Sequence, residues 1–268
     1  MTKPRIWHCR DKEVDVSVPQ IMGIVNVTPD SFSDGGEHAT YERAVAFARK
    51  LQQEGADILD IGGESTRPGA VPVSLEEELN RILRVVETLV ADGFTVSVDT
   101  YKPQVMRASL SLGAQIINDV KALTEPGAIE AVRGSGCGIV LMHFLPVREN
   151  HVFDDIPAFL RDRTEALFQA GIQKETICWD PGFGFGKTMQ ENLDLLARFE
   201  DFSCENFPLL VGVSRKRMIG ALTGIADPAK RSAGSVQAAV SAVEKGANIV
   251  RVHDVRETVE EFKRRGWR

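Results

Sequence analysis

Near its end the chain reads Lys245-Gly246-Ala247-Asn248-Ile249-Val250-Arg251-Val252-His253-Asp254-Val255, and this stretch decides the fold. An amphipathic run stops at Gly246, a residue suited to the left-handed conformation that ends helices. A short apolar run at 249–252 follows, then polar residues, then a second helical pattern at 255–264. Arg251 and His253 alternate with Val250 and Val252, so the basic side chains share one strand face and the valines the other. The unit is therefore helix end, buried strand, polar strand end, helix start.

Working outward, the same helix-ending phrase recurs as Glu54-Gly55-Ala56, Leu112-Gly113-Ala114 and Ala170-Gly171-Ile172, each just before an apolar run. Such runs, rich in Ile, Val or Leu as buried parallel strands are, fall at 21–27, 58–61, 95–98, 116–119, 138–142, 176–179, 209–213 and 249–252. Helical patterns at 41–54, 75–91, 103–112, 128–133, 156–170, 189–199, 229–245 and 255–264 separate and follow them. Thr40-Tyr41-Glu42 and Ser74-Leu75-Glu76-Glu77 put a capping hydroxyl and acidic residues at helix starts. Eight βα units in 268 residues predict a (β/α)8 TIM barrel of the α/β class. The expected organisation is one domain, 1–268, with 1–20 as an N-terminal lead-in and extended loops after strands 1 and 2. A doubly wound open sheet is the rival, but no linker marks a boundary between halves.

Composition limits the partners. The chain is 43% hydrophobic and 26% charged, so a large core is available. Thirty-two Lys and Arg against 38 Asp and Glu give a net charge of −6, which argues against nucleic acid as a partner. No apolar run is long enough for a membrane span, and the first residues lack a signal-peptide pattern, so a cytoplasmic protein is expected. Cys9, Cys137, Cys178 and Cys204 have no CxxC spacing and read as reduced thiols.

A barrel places its chemistry where strands run into the following loops. Those positions hold Asn26, Glu64 to Arg67, Asp99, Asn118 and Asp119, Met142 and His143, Asp180, Ser214 to Lys216, and Arg251 to Asp254. One Asp or Asn at a strand end is usually a turn former. Seven strands ending so, with charges that need partners if buried, predict a functional mouth.

Asp180-Pro181-Gly182-Phe183-Gly184-Phe185-Gly186-Lys187-Thr188 ends like a phosphate loop, but Pro181 stands where that loop needs Gly. Alternating Gly and Phe suggests instead aromatic rings brought close to a planar ligand. The five histidines form no zinc pattern. Asn26, Asp30 and Asp34 are hard oxygen donors suited to Mg2+, an ion that substrate phosphates commonly help to hold. Arg67, Lys216, Arg251 and His253 supply cations for such phosphates.

Two strings, Met22-Gly23-Ile24-Val25-Asn26-Val27-Thr28-Pro29-Asp30-Ser31-Phe32-Ser33-Asp34-Gly35-Gly36 and Asp60-Ile61-Gly62-Gly63-Glu64-Ser65-Thr66-Arg67-Pro68-Gly69, resemble the signature loops of the dihydropteroate synthase family. The likeness continues through Ser97-Val98-Asp99-Thr100-Tyr101-Lys102-Pro103, Ile117-Asn118-Asp119, Leu141-Met142-His143, the Gly-Phe loop, Gly212-Val213-Ser214-Arg215-Lys216 and Arg251-Val252-His253-Asp254-Val255. It runs in order over essentially the whole chain.

The resemblance implies a transferase of folate biosynthesis that joins 6-hydroxymethyl-7,8-dihydropterin pyrophosphate to p-aminobenzoate. By the same resemblance, Asp99, Asn118, Met142, Asp180 and Lys216 would hold the pterin, and Asn26, Arg67, Arg251 and His253 the pyrophosphate. Asn26 would also carry Mg2+. Phe32, Thr66, Pro68, Phe185, Ser214 and Arg217 would surround p-aminobenzoate, with Asp34 on a catalytic loop. A homodimer and competitive inhibition by sulfonamides are further implications. Chemically, a dissociative displacement is expected, with cations absorbing the charge of the departing pyrophosphate.

Two stretches depart from the family pattern. Residues 144–150 replace a Met-Gln-Gly-type run, and Arg217 stands where many members have Ser. Arg217 either pairs with the p-aminobenzoate carboxylate or faces solvent, leaving backbone amides at the helix start to bind it. Two rivals remain: a pterin-binding methyltransferase barrel, which should lack the Ser-Arg-Lys and Arg-x-His strings, and a silent paralogue that only binds pterin.

Overall fold

A computed structural model describes residues 5–28, 36–65, 71–148 and 151–268, with the backbone alone at 36–39 and 203–205. Within the expected lead-in lies an antiparallel hairpin, β1 (Ile6–Cys9) and β2 (Lys12–Asp15). Eight parallel strands follow: β3 (Gln20–Asn26), β4 (Ile58–Gly62), β5 (Val96–Asp99), β6 (Ile116–Asp119), β7 (Gly138–Met142), β8 (Ile177–Asp180), β9 (Leu210–Val211) and β10 (Ile249–Val252). From β3 to β8 each strand pairs with the next, β10 pairs with β3, and β9 pairs with β10. The ring closes through a parallel bridge between Trp179 and Leu209, where Trp179 N donates to Pro208 O at 2.9 Å. This is the (β/α)8 barrel that the repeated units predict.

The helices are α1 (Gly36–Glu54), α2 (Leu75–Ala91), α3 (Pro103–Ser111), α4 (Ala128–Val132), α5 (Val152–Gln169), α6 (Met189–Ala197), α7 (Arg217–Thr223), α8 (Ser232–Glu244) and α9 (Val255–Arg264). Ser74 caps α2 as expected, its Oγ accepting from Glu77 N at 3.2 Å, with Glu76, Glu77 and Glu78 in the first turn. Thr40 lies inside α1 and not at its start, because the helix begins four residues earlier, at Gly36. Gly55, Gly113, Gly171 and Gly246 close their helices with φ of 104°, 100°, 83° and 104°. The seventh unit contains two helices, α7 and α8, where one was expected at 229–245.

Side-chain parity divides the interior into layers. Inside the barrel, Met22, Ile58, Ile116, Val140, Cys178, Leu210 and Ile249 form an apolar floor sealed from below by Trp7, Cys9, Val14 and Val16. Trp7 is fully buried and its indole Nε1 donates to Thr176 O at 2.8 Å. The hairpin lies so close to β7 that a Cβ on Gly138 would sit 2.5 Å from Cys9 Sγ and 2.9 Å from the Trp7 ring. A much larger apolar layer fills the space between the strands and the surrounding helices. Among the described residues, Cys9, Cys137 and Cys178 are buried free thiols, and burial pushes the Cys137 thiol up to about 11.

Candidate functional site

Two residues further along the strands, the barrel interior changes from apolar to polar. Ile58 gives way to Asp60, Ile116 to Asn118, Cys178 to Asp180 and Ile249 to Arg251, while β5 adds Ser97 and Asp99. All lie on the inward face by strand parity. Asp60 is fully buried and accepts three bonds: Ser97 Oγ to Oδ1 at 2.6 Å, and Arg251 Nε and Asn118 Nδ2 to Oδ2 at 2.6 and 3.2 Å. Arg251 reaches on to Asp99, with Nη2 2.7 Å from Oδ2. The other oxygen, Asp99 Oδ1, is buried without a hydrogen-bond partner. Burial pushes the Asp99 carboxyl up to about 7, an effect Arg251 opposes and Asp60 and Asp119 reinforce. On Arg251 the two carboxylates outweigh burial and hold the guanidinium protonated. Arg251, expected on the pyrophosphate, is thus anchored by Asp60 and by Asp99, the latter expected on the pterin.

Asp180 and two lysines form the opposite wall. Burial pushes Asp180 up, opposed by the nearby Lys216 charge, and its Oδ1 accepts from Gly182 N at 2.7 Å. Lys216 donates to Phe183 O at 2.6 Å and lies 4.8 Å from the Phe185 ring centroid; burial lowers it to about 8. Of the two Gly-Phe rings only Phe185 remains at the mouth. Phe183 is fully buried, stacked on Phe199 with centroids 6.2 Å apart.

Lys187, dismissed with the phosphate-loop reading, is the post of this loop. Its Nζ is held by Gly182 O and Phe185 O at 2.9 Å, His143 Nδ1 at 3.0 Å and His143 O at 3.3 Å. Burial takes Lys187 down to about 7, and burial with the lysine charge takes His143 down to about 3, so the imidazole is a neutral acceptor. The neighbouring backbones touch: a Cβ on Gly182 would lie 1.8 Å from His143 O, and one on Gly186 2.4 Å from Leu145 O. Only glycine fits there, where φ is also positive, at 73° and 60°. The divergent 144–148 segment therefore backs the Gly-Phe loop.

The turn after β9 is built from distant parts. Ser214 Oγ lies 3.0 Å from His253 Nδ1 and accepts from His253 N at 3.2 Å, joining the ends of β9 and β10. Arg215 adopts φ of 59° and pairs with Asp254, with Nη2 2.5 Å from Oδ1. Arg231, absent from every motif, is buried beneath and donates to Arg215 O at 3.1 Å and Lys216 O at 3.2 Å. Arg217 is exposed in the first turn of α7.

At the second loop, Lys102 bonds Glu64 and also Glu78 Oε2 at 2.5 Å and Val73 O at 2.8 Å. Tyr101 OH donates to Glu64 Oε1 at 2.9 Å. Although burial works against it, these bonds hold Glu64 below the usual carboxylate range. Val73 N donates to Glu64 Oε2 at 3.2 Å, so both ends of the loop are fixed. Asn26 lies at the end of β3 beside Gly62, where a Cβ would sit 3.7 Å from Asn26 Oδ1 and from Asp99 Cβ. Met142 is buried in register with Asp180. Asp119 accepts from Lys121 N and Leu123 N at 2.7 and 2.9 Å and is an ordinary turn former. Phe32, Asp34, Thr66, Arg67 and Pro68 lie outside the described residues.

Buried carboxylates facing lysine and arginine at the open end of a barrel suit a polar ligand that offers several N–H donors. Comparison with known proteins specifies the class. A profile of the family described as pterin binding enzyme matches residues 22–253. The chain is 50% identical over 260 residues to dihydropteroate synthase of Escherichia coli strain K12, covering 93% of this chain and 92% of that one. Dihydropteroate synthase of Xanthomonas albilineans with 4-aminobenzoic acid superposes with a TM-score of 0.93 at 49% identity, covering 99% and 98% of the two chains. The same enzyme with 7,8-dihydropteroate gives 0.90 at 47%, covering 97% of each. Yersinia pestis dihydropteroate synthase with a sulfonamide drug gives 0.90 at 44%, covering 97% and 99%. The chain belongs to the dihydropteroate synthases of the pterin binding enzyme family, transferases of folate biosynthesis.

Proposed function

We propose that this chain condenses 6-hydroxymethyl-7,8-dihydropterin pyrophosphate with p-aminobenzoate, giving 7,8-dihydropteroate and pyrophosphate. The observation that carries the reading is the buried polar layer of Asp99, Asn118 and Asp180 beside Lys216, with Asp99 Oδ1 unpartnered. A buried acceptor without a donor costs about 1–3 kcal/mol, which a ligand N–H regains. The guanidine-like edge of a pterin offers such N–H groups, and Lys216 offers donors for its acceptors. Met142 lines the same layer.

The displacement is dissociative. The bond from the methylene carbon to the bridging oxygen breaks first, and pyrophosphate leaves with the electron pair. The cation left behind is conjugated with the pterin ring. The p-aminobenzoate nitrogen then bonds to the methylene and loses a proton. Arg67, Arg251 and His253 hold the leaving group, whose charge they stabilise in a preorganised site. Phe32, Thr66, Pro68, Phe185, Ser214 and Arg217 surround p-aminobenzoate, while the loop of Asp34 excludes water. Sulfonamides, which share the aryl-amine shape, compete for that subsite.

Among the described residues no cluster of three His, Cys, Asp or Glu is built to hold a metal alone. The Asn26 carboxamide oxygen beside Gly62 fits instead a Mg2+ whose shell substrate phosphates complete. That ion, when bound, supplies positive charge to the leaving pyrophosphate. No described helix is long and apolar enough to cross a membrane. We assign the enzyme to the cytoplasm, as a homodimer.

The test is to incubate purified protein with both substrates and Mg2+ and to follow pyrophosphate release and dihydropteroate formation. Stoichiometric appearance of both is the expected result. Pterin binding without pyrophosphate release would sink the reading in favour of a silent binder, and methyl transfer to a corrinoid would favour a methyltransferase.

A further inference from the structure

Asp60 is the most deeply buried ionisable group of the polar layer, and no substrate contact is assigned to it above. It bonds two residues with different assignments. Asn118, on the pterin side, and Arg251, on the pyrophosphate side, both donate to Asp60 Oδ2, while Ser97 fixes Oδ1. Arg251 is gripped at two points along one edge: Nε by Asp60 and Nη2 by Asp99. Among the described residues, Nη1 has no acceptor.

The two grips are unequal once a ligand enters. Asp99 lies two residues nearer the strand ends than Ser97, the register partner of Asp60, and its buried Oδ1 has no partner, so a pterin N–H reaching it competes with Arg251 for its charge. Asp60 lies beneath, fully buried, and a ligand seated above Asp99 leaves its bonds intact. After pterin binds, Asp60 is the anchor that remains on the guanidinium.

We propose that Asp60 is a positioning residue: it holds Arg251 by Nε so that the Nη edge meets the leaving group, while Asn118, on the same carboxylate oxygen, keeps its own contact with the pterin. The inference rests on the function proposed above. It adds that the two halves of one substrate are read by side chains sharing one carboxylate oxygen.

The test measures binding of two probes by calorimetry, 6-hydroxymethylpterin and 6-hydroxymethyl-7,8-dihydropterin pyrophosphate, to wild type, Asp60→Asn, Arg251→Lys and the double variant. Asp60→Asn should weaken the pyrophosphate-bearing probe by about tenfold to a hundredfold, the usual cost of losing an outer partner of a ligand-binding group. It should weaken the pyrophosphate-free probe by less than about threefold, because Asn118 keeps its own contact with the ring. In the Arg251→Lys background the same change should add little, since Asp60 acts through the arginine. Equal loss for both probes, or full additivity, would overturn the proposal.

Should Asp60→Asn fail to fold, Ser97→Ala frees Oδ1 while leaving the carboxylate in place. It should give the same selectivity at about two- to fivefold. A Ser97→Ala protein that loses both probes equally, or neither, would also overturn it. Wild type binding neither probe would refute the proposed function instead, so the two failures are distinguishable.

Discussion

The floor and the mouth of this barrel are made by the same strands, two residues apart, and they are built on opposite principles. The floor is Ile, Val, Leu, Met and Cys sealed by Trp7 and its hairpin, a region that gains free energy by excluding water. The mouth is Asp60, Asp99, Asp180, Lys216 and Arg251 held at the edge of the same core, with the Asp99 and Asp180 carboxyls pushed toward their neutral forms by burial. Burying charges destabilises a fold unless each is matched. The difference shows that stability is concentrated below so that unfavourable charge can be held above.

Four experiments test that contrast. The largest effect should come from the floor: Trp7→Ala opens a cavity under the strands and should cost about 3–5 kcal/mol in denaturant unfolding. Its kcat at 25 °C should stay within twofold, and a large fall in kcat would erase the division. At the mouth, Asp180→Asn should lower kcat/KM by about a hundredfold, while the unfolding midpoint falls by less than in Trp7→Ala because Lys216, lowered by burial, can shed its proton. A midpoint that drops as steeply as in Trp7→Ala would show the mouth carrying stability too.

Lys187→Met should act between these extremes. Loss of its bonds to Gly182 O and Phe185 O releases the Gly-Phe turn. We expect kcat/KM for p-aminobenzoate to fall about tenfold, with pterin affinity nearly unchanged, as is usual for a supporting contact. The smallest effect is one of pH. With the Asp99 carboxyl raised to about 7, pterin affinity should weaken as pH falls below 7, by at most about tenfold per unit. Stability runs the other way. A carboxyl raised in the folded state binds more protons there than in the unfolded chain, so its contribution is full below about pH 4 and is lost as pH rises through 7. Replacing Asp99 by Asn should flatten both slopes, and unchanged slopes would place the titration elsewhere.

Much of this architecture was legible from local rules. Gly at four helix ends, apolar runs of strand length and the parity of Arg251 and His253 are properties of short segments, and the structure reproduces them. What escaped reading depends on contacts far apart in sequence. The hairpin strands are four residues each and gain their place only by packing under the barrel. Arg231 supports the Arg215 turn across 16 residues and has no motif of its own. Asp60 sits among Ile58, Leu59 and Ile61, where an apolar context hides it. Its parity with Ile58 was the available signal: an acid on the inward face of a buried strand needs a partner inside the barrel. Lys187 completes no nucleotide motif, yet a lysine following three glycines has backbone carbonyls to bind.

The sealed floor has a consequence for how the protein is made. Trp7 is made before the barrel it seals, and Thr176, whose carbonyl accepts its indole bond, lies 169 residues later. At ordinary elongation rates of about 5–20 residues per second, the plug stays undocked for roughly 10–30 s. Its apolar side chains, Trp7, Cys9, Val14 and Val16, are exposed to the cell for that interval. The hairpin, made before the strands it seals, is thus among the last elements of the barrel to find its place, and chaperones would have that interval in which to act on it.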